Sequence, residues 1–279
     1  MTETLVTPEG LTLSYERRGS GPLLVCHPGG PGGSAAEFRD FAGLDDTFDL
    51  VLLSPRGSAG SDAAGDYALS SYVADLDALR RQLGVETFDL LGFSHGGAVA
   101  IAYGAAYGPC LGRLVLADTL ACWSDEAQAA MEQAIESRRG EPWFVAAQEA
   151  IEEEQAGAFA STAELVANVR RQIPLYFHRW EGNEQTGLEL AADFARMEPL
   201  HYFNTVEFQG FDLRGDLRTI ATPTLVLVGD DDFITGRVCA DAIVRELPDA
   251  RLVVIPDAGH FTYVEQPQAF RAALVDFLL

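Results

Sequence analysis

A chain of 279 residues with 48% apolar content suits one elaborated domain, or a core carrying an insertion, and can bury a large interior. Its formal net charge of −23 would repel a phosphate backbone, so no nucleic-acid partner is expected; the acidic surface stays well solvated and could draw a cationic substrate. All 19 basic residues are arginine, which excludes a lysine Schiff base, a lysine nucleophile and the lysine of a phosphate-binding P-loop.

Residues Thr4 to Pro8 and Leu11 to Glu16 alternate around Glu9-Gly10, which predicts an opening hairpin. Leu23-Leu24-Val25-Cys26 is a short apolar strand running into the loop His27-Pro28-Gly29-Gly30-Pro31-Gly32-Gly33, after which Ser34 is suited to cap a helix. Phe48–Leu53 reads as the next strand, followed by a loop from Ser54 to Asp62. Tyr72, Leu76, Leu79 and Leu83 recur at helical spacing, and Gly84 closes that helix. A strand over Thr87–Leu91, a helix from Gly97 to Tyr107 and a strand at Leu114–Leu116 complete the first half.

Strands and helices in this rhythm predict an α/β fold, a mostly parallel sheet with helices on both faces. The rhythm breaks over 122–215, which is rich in Glu, Ala and Gln, contains no buried strand run, and holds Trp123, Trp143 and Trp180. That stretch is expected to form a helical cap inserted into a core made of 1–121 and 216–279. Alternation resumes with a strand at Thr224–Val228, a helix near Ala240–Leu247, a strand at Arg251–Ile255 and a last helix from Gln266 to Leu278.

No run approaches the roughly 20 apolar residues of a membrane span. The start Met1-Thr2-Glu3-Thr4-Leu5 lacks the basic and apolar regions of a signal peptide, so the expectation is a cytoplasmic protein with no membrane partner. Cys26, Cys110, Cys122 and Cys239 are scattered without C-x-x-C spacing, which argues against a disulfide framework or metal knuckle. Neither a metal nor an organic cofactor is expected.

The segment Gly92-Phe93-Ser94-His95-Gly96 places a serine between two glycines at a strand-to-helix corner. A serine there is forced into a strained conformation that lifts its hydroxyl off the sheet, while a β-carbon at either glycine would collide with its neighbours. This is a nucleophile elbow, and it predicts a covalent hydrolase. In open parallel sheets ligands bind beyond the carboxyl ends of the strands. Three more loops at that edge carry suitable groups: His27–Gly33, Gly229-Asp230-Asp231-Asp232, and Asp257-Ala258-Gly259-His260.

Nucleophile, acid and histidine then follow in the chain order that accompanies an elbow serine. Ser94 is a poor nucleophile alone; His260 can take its proton and return it to the leaving group. A carboxylate on the far imidazole nitrogen would fix the tautomer. Asp232 is the expected acid, with Asp231 the alternative, since Asp230 still belongs to the strand end. The N–H groups of Gly30 and His95 are the expected oxyanion donors.

Through Gly29-Gly30-Pro31-Gly32-Gly33, Arg56-Gly57-Ser58 with Ser61, the elbow, Gly229-x-x-Asp232 and Gly259-His260, the chain resembles the α/β-hydrolase fold, and within it the proline iminopeptidase branch. The resemblance covers nearly everything outside the cap. It implies a serine hydrolase working through an acyl-enzyme on a small peptide or amide with a free N-terminal residue. The branch usually has His directly before Gly-Gly-Pro-Gly, Asp at the start of the second loop and Trp after the nucleophile; this chain has Pro28, Ser54 and His95. Its cap also carries acids that grip the substrate's α-amino group, one of them in Glu-Asn-His-Tyr-Phe. The counterpart here is Glu198-Pro199-Leu200-His201-Tyr202-Phe203, one residue longer, which makes Glu198 the candidate substrate-binding acid. The altered positions keep two other readings open: a carboxylesterase or lactonase on small acyl substrates, and a non-catalytic binding protein of the same fold.

Overall fold

The alternating residues around Glu9-Gly10 form an antiparallel hairpin, β1 (Thr2–Val6) and β2 (Thr12–Gly19), in a computed structural model that describes residues 2–157, 159–194 and 196–279. Met1 and, within the expected cap, Ala158 and Ala195 lie outside the described residues. The apolar runs that follow become β3 (Leu23–His27), β4 (Asp49–Ser54), β5 (Phe88–Phe93), β6 (Leu111–Ala117), β7 (Thr224–Gly229) and β8 (Ala250–Ile255). They join the hairpin in an eight-stranded sheet of order β1-β2-β4-β3-β5-β6-β7-β8. From β4 to β8 every neighbouring pair is parallel, and only the hairpin runs antiparallel to its partners.

Parallel strands need crossovers, so both faces are covered. Helices α1 (Leu69–Leu83) and α2 (His95–Tyr107) cover one face, where Tyr72, Leu76, Leu79, Val99 and Tyr103 pack on Val25, Val51 and Leu90. Gly84 ends α1 at φ 70°, in the left-handed region that favours glycine. On the opposite face, Phe38, Phe41 and Phe48 form a second apolar layer with Leu24, Leu50 and Leu91.

Between β6 and β7 the chain leaves the sheet. It runs through α3 (Asp125–Ser137), α4 (Phe144–Gln155), α5 (Thr162–Gln172), α6 (Glu184–Phe194), α7 (Met197–Tyr202) and α8 (Arg214–Leu217). The two ends of this excursion are tied by a β-bridge between Cys122 and Asp212 and by the Leu213 N–H, which donates to the Ala121 carbonyl at 2.7 Å. The core then resumes with α9 (Arg237–Glu246), α10 (Thr262–Glu265) and α11 (Pro267–Leu278), whose Phe270, Leu274 and Leu278 close the second layer. Among the described residues no helix is long and apolar enough to cross a membrane.

Arg56, which opens the loop after β4, is 1% exposed and paired with Asp75 of α1. Its Nε and one terminal nitrogen donate to the two carboxylate oxygens at 2.7 and 2.8 Å, and another nitrogen reaches the Asp66 carbonyl at 3.1 Å. Such bidentate geometry offsets the desolvation of both ions; removing Arg56 strands the buried Asp75, whereas Arg56 without Asp75 keeps its 3.3 Å contact to Glu9. Arg56→Ala should therefore lower unfolding free energy by about 3–5 kcal/mol in urea titrations, and Asp75→Ala by less.

Candidate active site

Ser94 stands between the last residue of β5 and the first of α2 with φ 52° and ψ −121°. A non-glycine residue in that region is strained and persists only when its surroundings over-determine it. Here the Ser94 N–H donates to the Ala117 carbonyl at 3.0 Å, and the Ser94 carbonyl accepts from the Thr119 hydroxyl at 2.6 Å and the Gly97 N–H at 2.9 Å. The glycines explain themselves by distance. A β-carbon on Gly92 would lie 2.3 Å from the Gly96 carbonyl oxygen, and one on Gly96 would lie 2.4 Å from the carbonyl oxygens of both His27 and Pro28.

That second contact seats the His27–Gly33 loop against the elbow. A β-carbon on Gly29 would fall 3.0 Å from Ser94 Cβ, so the loop backbone passes directly beside the serine. Its shape is held by the Gly33 N–H donating to the Gly29 carbonyl at 3.2 Å and the Gly29 N–H donating to Glu37 Oε2 at 2.7 Å. Gly30 adopts φ 109°, a conformation open to glycine. His95 is the first residue of α2, so its N–H has no carbonyl one turn back to bond. Helix α2 also brings its positive end to this corner.

In the loops after β8 and β7, His260 and Asp232 are joined at 2.9 Å between Nδ1 and Oδ2, both side chains almost wholly buried. Asp232 accepts further hydrogen bonds from the Thr235 hydroxyl at 2.6 Å and from the Ile234 and Thr235 N–H groups at 3.0 and 3.1 Å. Burial alone would raise the Asp232 pKa, but the His260 charge and these hydrogen bonds outweigh it and hold the carboxyl below its ordinary value. Asp118, at the end of β6 with φ 46°, is a second buried carboxyl, bonded to the Gly229 N–H at 2.9 Å and the Thr262 hydroxyl at 2.5 Å. Burial and the neighbouring Asp232 charge push Asp118 well up, so the two neighbouring acids are driven in opposite directions, Asp232 down and Asp118 up. The His260 ring sits 5.1 Å from Phe93, the residue before the serine, and the His260 backbone N–H donates to the Tyr176 carbonyl at 2.7 Å.

Ser94, Gly29-Gly30 and the His260–Asp232 pair thus converge on the carboxyl edge of the sheet. Asp231 faces elsewhere: its carboxylate pairs with Arg138 at 2.9 Å and His178 at 3.0 Å, both from the helical insertion. Glu198 lies in the first turn of α7 and is exposed. The His95 imidazole is buried between Tyr72 and Phe203, each 5.4 Å away, and burial, helped by His27, pushes its pKa down to about 3. This buried ring follows Ser94 directly in the chain. Three participants were invisible to motif reasoning: Thr235, Asp118 and Glu37. Thr235 alone leaves a sequence trace, as a hydroxyl three residues after the acid. Among the described residues no group of three or more His, Cys, Asp or Glu is placed to hold a metal ion.

The alpha/beta hydrolase fold family matches residues 22–267. A proline iminopeptidase of Levilactobacillus brevis is 29% identical across 92% of this chain and 88% of that protein, and one of Pestalotiopsis fici is 28% identical across 92% of each. Among solved structures, a hydrolase of Pseudomonas aeruginosa superposes with a TM-score of 0.78 at 25% identity, covering 99% of this chain and 98% of the other. An enol-lactonase of Burkholderia xenovorans does so with a TM-score of 0.77 at 22% identity, covering 99% of both, which speaks to the fold alone.

Gly96→Ala tests the packing at the elbow. Both contacting atoms are backbone carbonyls and cannot swing aside, so the variant should lose about 3 kcal/mol of stability, the upper end of ordinary overpacking, measured by urea denaturation.

Proposed function

The chain belongs to the alpha/beta hydrolase fold family, and from that premise we propose that it is a cytoplasmic serine hydrolase acting through an acyl-enzyme, an aminopeptidase or amidase of proline iminopeptidase type. The observation that carries the catalytic reading is the buried Asp232–His260 pair, 2.9 Å apart, at the same sheet edge as a serine held at φ 52°. In this reading Asp232 accepts the Nδ1–H of His260 and leaves Nε2 free to take the Ser94 proton. Ser94 Oγ attacks the acyl carbon as that proton leaves, and the N–H groups of Gly30 and His95 hold the developing oxyanion. His260 next protonates the departing amine, a water enters, and the same steps in reverse free the acyl part.

No residue in this scheme needs a metal or an organic cofactor. The helical insertion over 122–215 serves as the cap, and the partner is a small molecule or short peptide with a free N-terminal residue. Relatives named as proline iminopeptidases, similar along nearly the whole chain, support that substrate class.

The exposed Glu198 favours a second reading. If no cap acid receives an α-amino group, the same machinery fits an esterase or lactonase acting on a small acyl substrate, with the neutral His95 ring lining the acyl side.

Hydrolysis of L-proline p-nitroanilide beside p-nitrophenyl acetate and butyrate separates the two. Turnover of the anilide that disappears in Ser94→Ala supports the peptidase; ester turnover alone supports the second reading. On whichever substrate is used, Asp232→Asn should lower kcat by about 10⁴-fold, as loss of the correct histidine tautomer does in comparable triads. Asp231→Asn should stay within a few fold of wild type. The reverse ranking would place the acid one residue earlier.

A further inference from the structure

We propose that Glu37 is a positioning residue for the oxyanion loop, holding the Gly29 N–H so that the Gly29–Gly30 backbone keeps its place beside Ser94. This rests on the reading of Gly30 as an oxyanion donor. Glu37 lies on a short 3-10 helix, Ala35–Phe38, and is 1% exposed. Its Oε2 accepts from the Gly29 N–H at 2.7 Å, and a β-carbon on Gly33 would come within 2.8 Å of that same oxygen. A β-carbon on Gly29 would lie 3.2 Å from Glu37 Oε1 and 3.0 Å from Ser94 Cβ, so this carboxyl and the serine flank a single glycine from two sides.

The charge on that carboxyl matters as much as its position. Burial, then the Asp193 carboxylate of α6, push its pKa up to about 8, against the opposing pull of the Gly29 N–H. The other groups facing it do not reverse this. The Tyr263 hydroxyl of α10 donates to the Glu37 backbone carbonyl at 3.2 Å, and Arg39, just past the helix, is paired with Glu189 at 2.5 Å. Asp193 itself is tied to the helix start, accepting from the Ser34 hydroxyl at 2.7 Å and the Ser34 N–H at 3.2 Å. Glu37 is therefore an uncharged acceptor at neutral pH. Once ionised, it puts a negative charge beside the place where substrate oxygen becomes negative, in a site where little water screens it. The sign follows: activity is present while the carboxyl holds its proton and falls as pH rises through about 8.

The experiment measures kcat and KM for p-nitrophenyl butyrate across the alkaline range, together with fluorophosphonate labelling of Ser94. The wild type should lose kcat along an alkaline limb near pH 8, with little change in KM. Glu37→Leu, which removes the acceptor, should lower kcat by about 100-fold, the scale of a misplaced oxyanion donor, with KM held within a few fold. Glu37→Gln keeps an acceptor that cannot ionise, so it should recover most of that loss and show no alkaline limb. A limb that persists in Glu37→Gln, or a wild-type kcat in Glu37→Leu, overturns the assignment while Ser94 still labels. Should Glu37→Leu fail to fold, the pH profile of Glu37→Gln decides alone. Turnover that survives in Ser94→Ala, with no labelling of the wild type, overturns the serine-hydrolase reading and this inference with it.

Discussion

At Gly96 the first turn of α2 lies so close to the carbonyls of His27 and Pro28 that no side chain fits between them. This one contact joins the two halves of the site. The end of β5 must turn sharply enough to start a helix within a single residue, and that residue, Ser94, absorbs the turn in a conformation that only its neighbours can enforce. The loop after β3 must in turn pass over the helix start, which brings Gly29 against the serine. Strands β3 and β5 are adjacent and parallel, with His27 opposite Gly92 in register, so the sheet itself sets the separation of the two loops. Ser94 and the His27–Gly33 loop are therefore placed by the same hydrogen-bonded ladder, and neither can shift without the other.

The electrostatics of this region follow a second rule: buried carboxyls are divided between those given a cation and those held only by uncharged donors. Asp75 has Arg56, and Asp232 has His260. Asp118 and Glu37 have only neutral donors and the field of another acid, and both are pushed upward. In a chain with a net charge of −23 this division is what lets four acids sit near one sheet edge. Asp118, raised by burial and by the Asp232 charge, accepts from the Gly229 N–H and the Thr262 hydroxyl and so ties the end of β6 to β7 and α10 beside the Asp232–His260 pair.

The helical insertion reaches the site through backbone as well as side chains. The Tyr176 carbonyl accepts from the His260 N–H at 2.7 Å, and a β-carbon on Gly259 would lie 2.4 Å from that same oxygen. Glu265 of α10 accepts from the N–H groups of Gly259, His178 and Arg179 at 2.7–3.0 Å, clamping the histidine loop and the strap over 176–179 together. Asp231 adds a tie to Arg138 and His178. Neighbouring acids in the sequence thus do different work: Asp232 turns inward to the histidine, and Asp231 turns outward to the insertion.

Much of this was legible in the sequence because strands buried on both faces and sharp glycine corners write themselves into local composition. The hairpin, the elbow, the left-handed Gly84 and the break in rhythm after β6 all appear where apolar runs and glycines place them. Setting Asp230 aside also had a local basis: its N–H bonds the Ile255 carbonyl and continues the strand ladder, whereas nothing local separates Asp232 from Asp231. What could not be read depends on contacts between distant segments. Glu37 is one acid in the apolar run Phe38, Phe41, with no period or motif to mark it, and its meaning comes from Gly29, Ser94 and Asp193 gathering around it. The outward placement of Glu198 is likewise set by how α7 packs: Pro199 presses on Gly57, within 2.8 Å of where a β-carbon would stand, and Tyr202 meets Tyr67 ring to ring at 6.1 Å. With those two residues of the short helix fixed against the core loop, the direction of the acid just before them follows from the helix turn, and a one-residue lengthening before His201 is enough to redirect it.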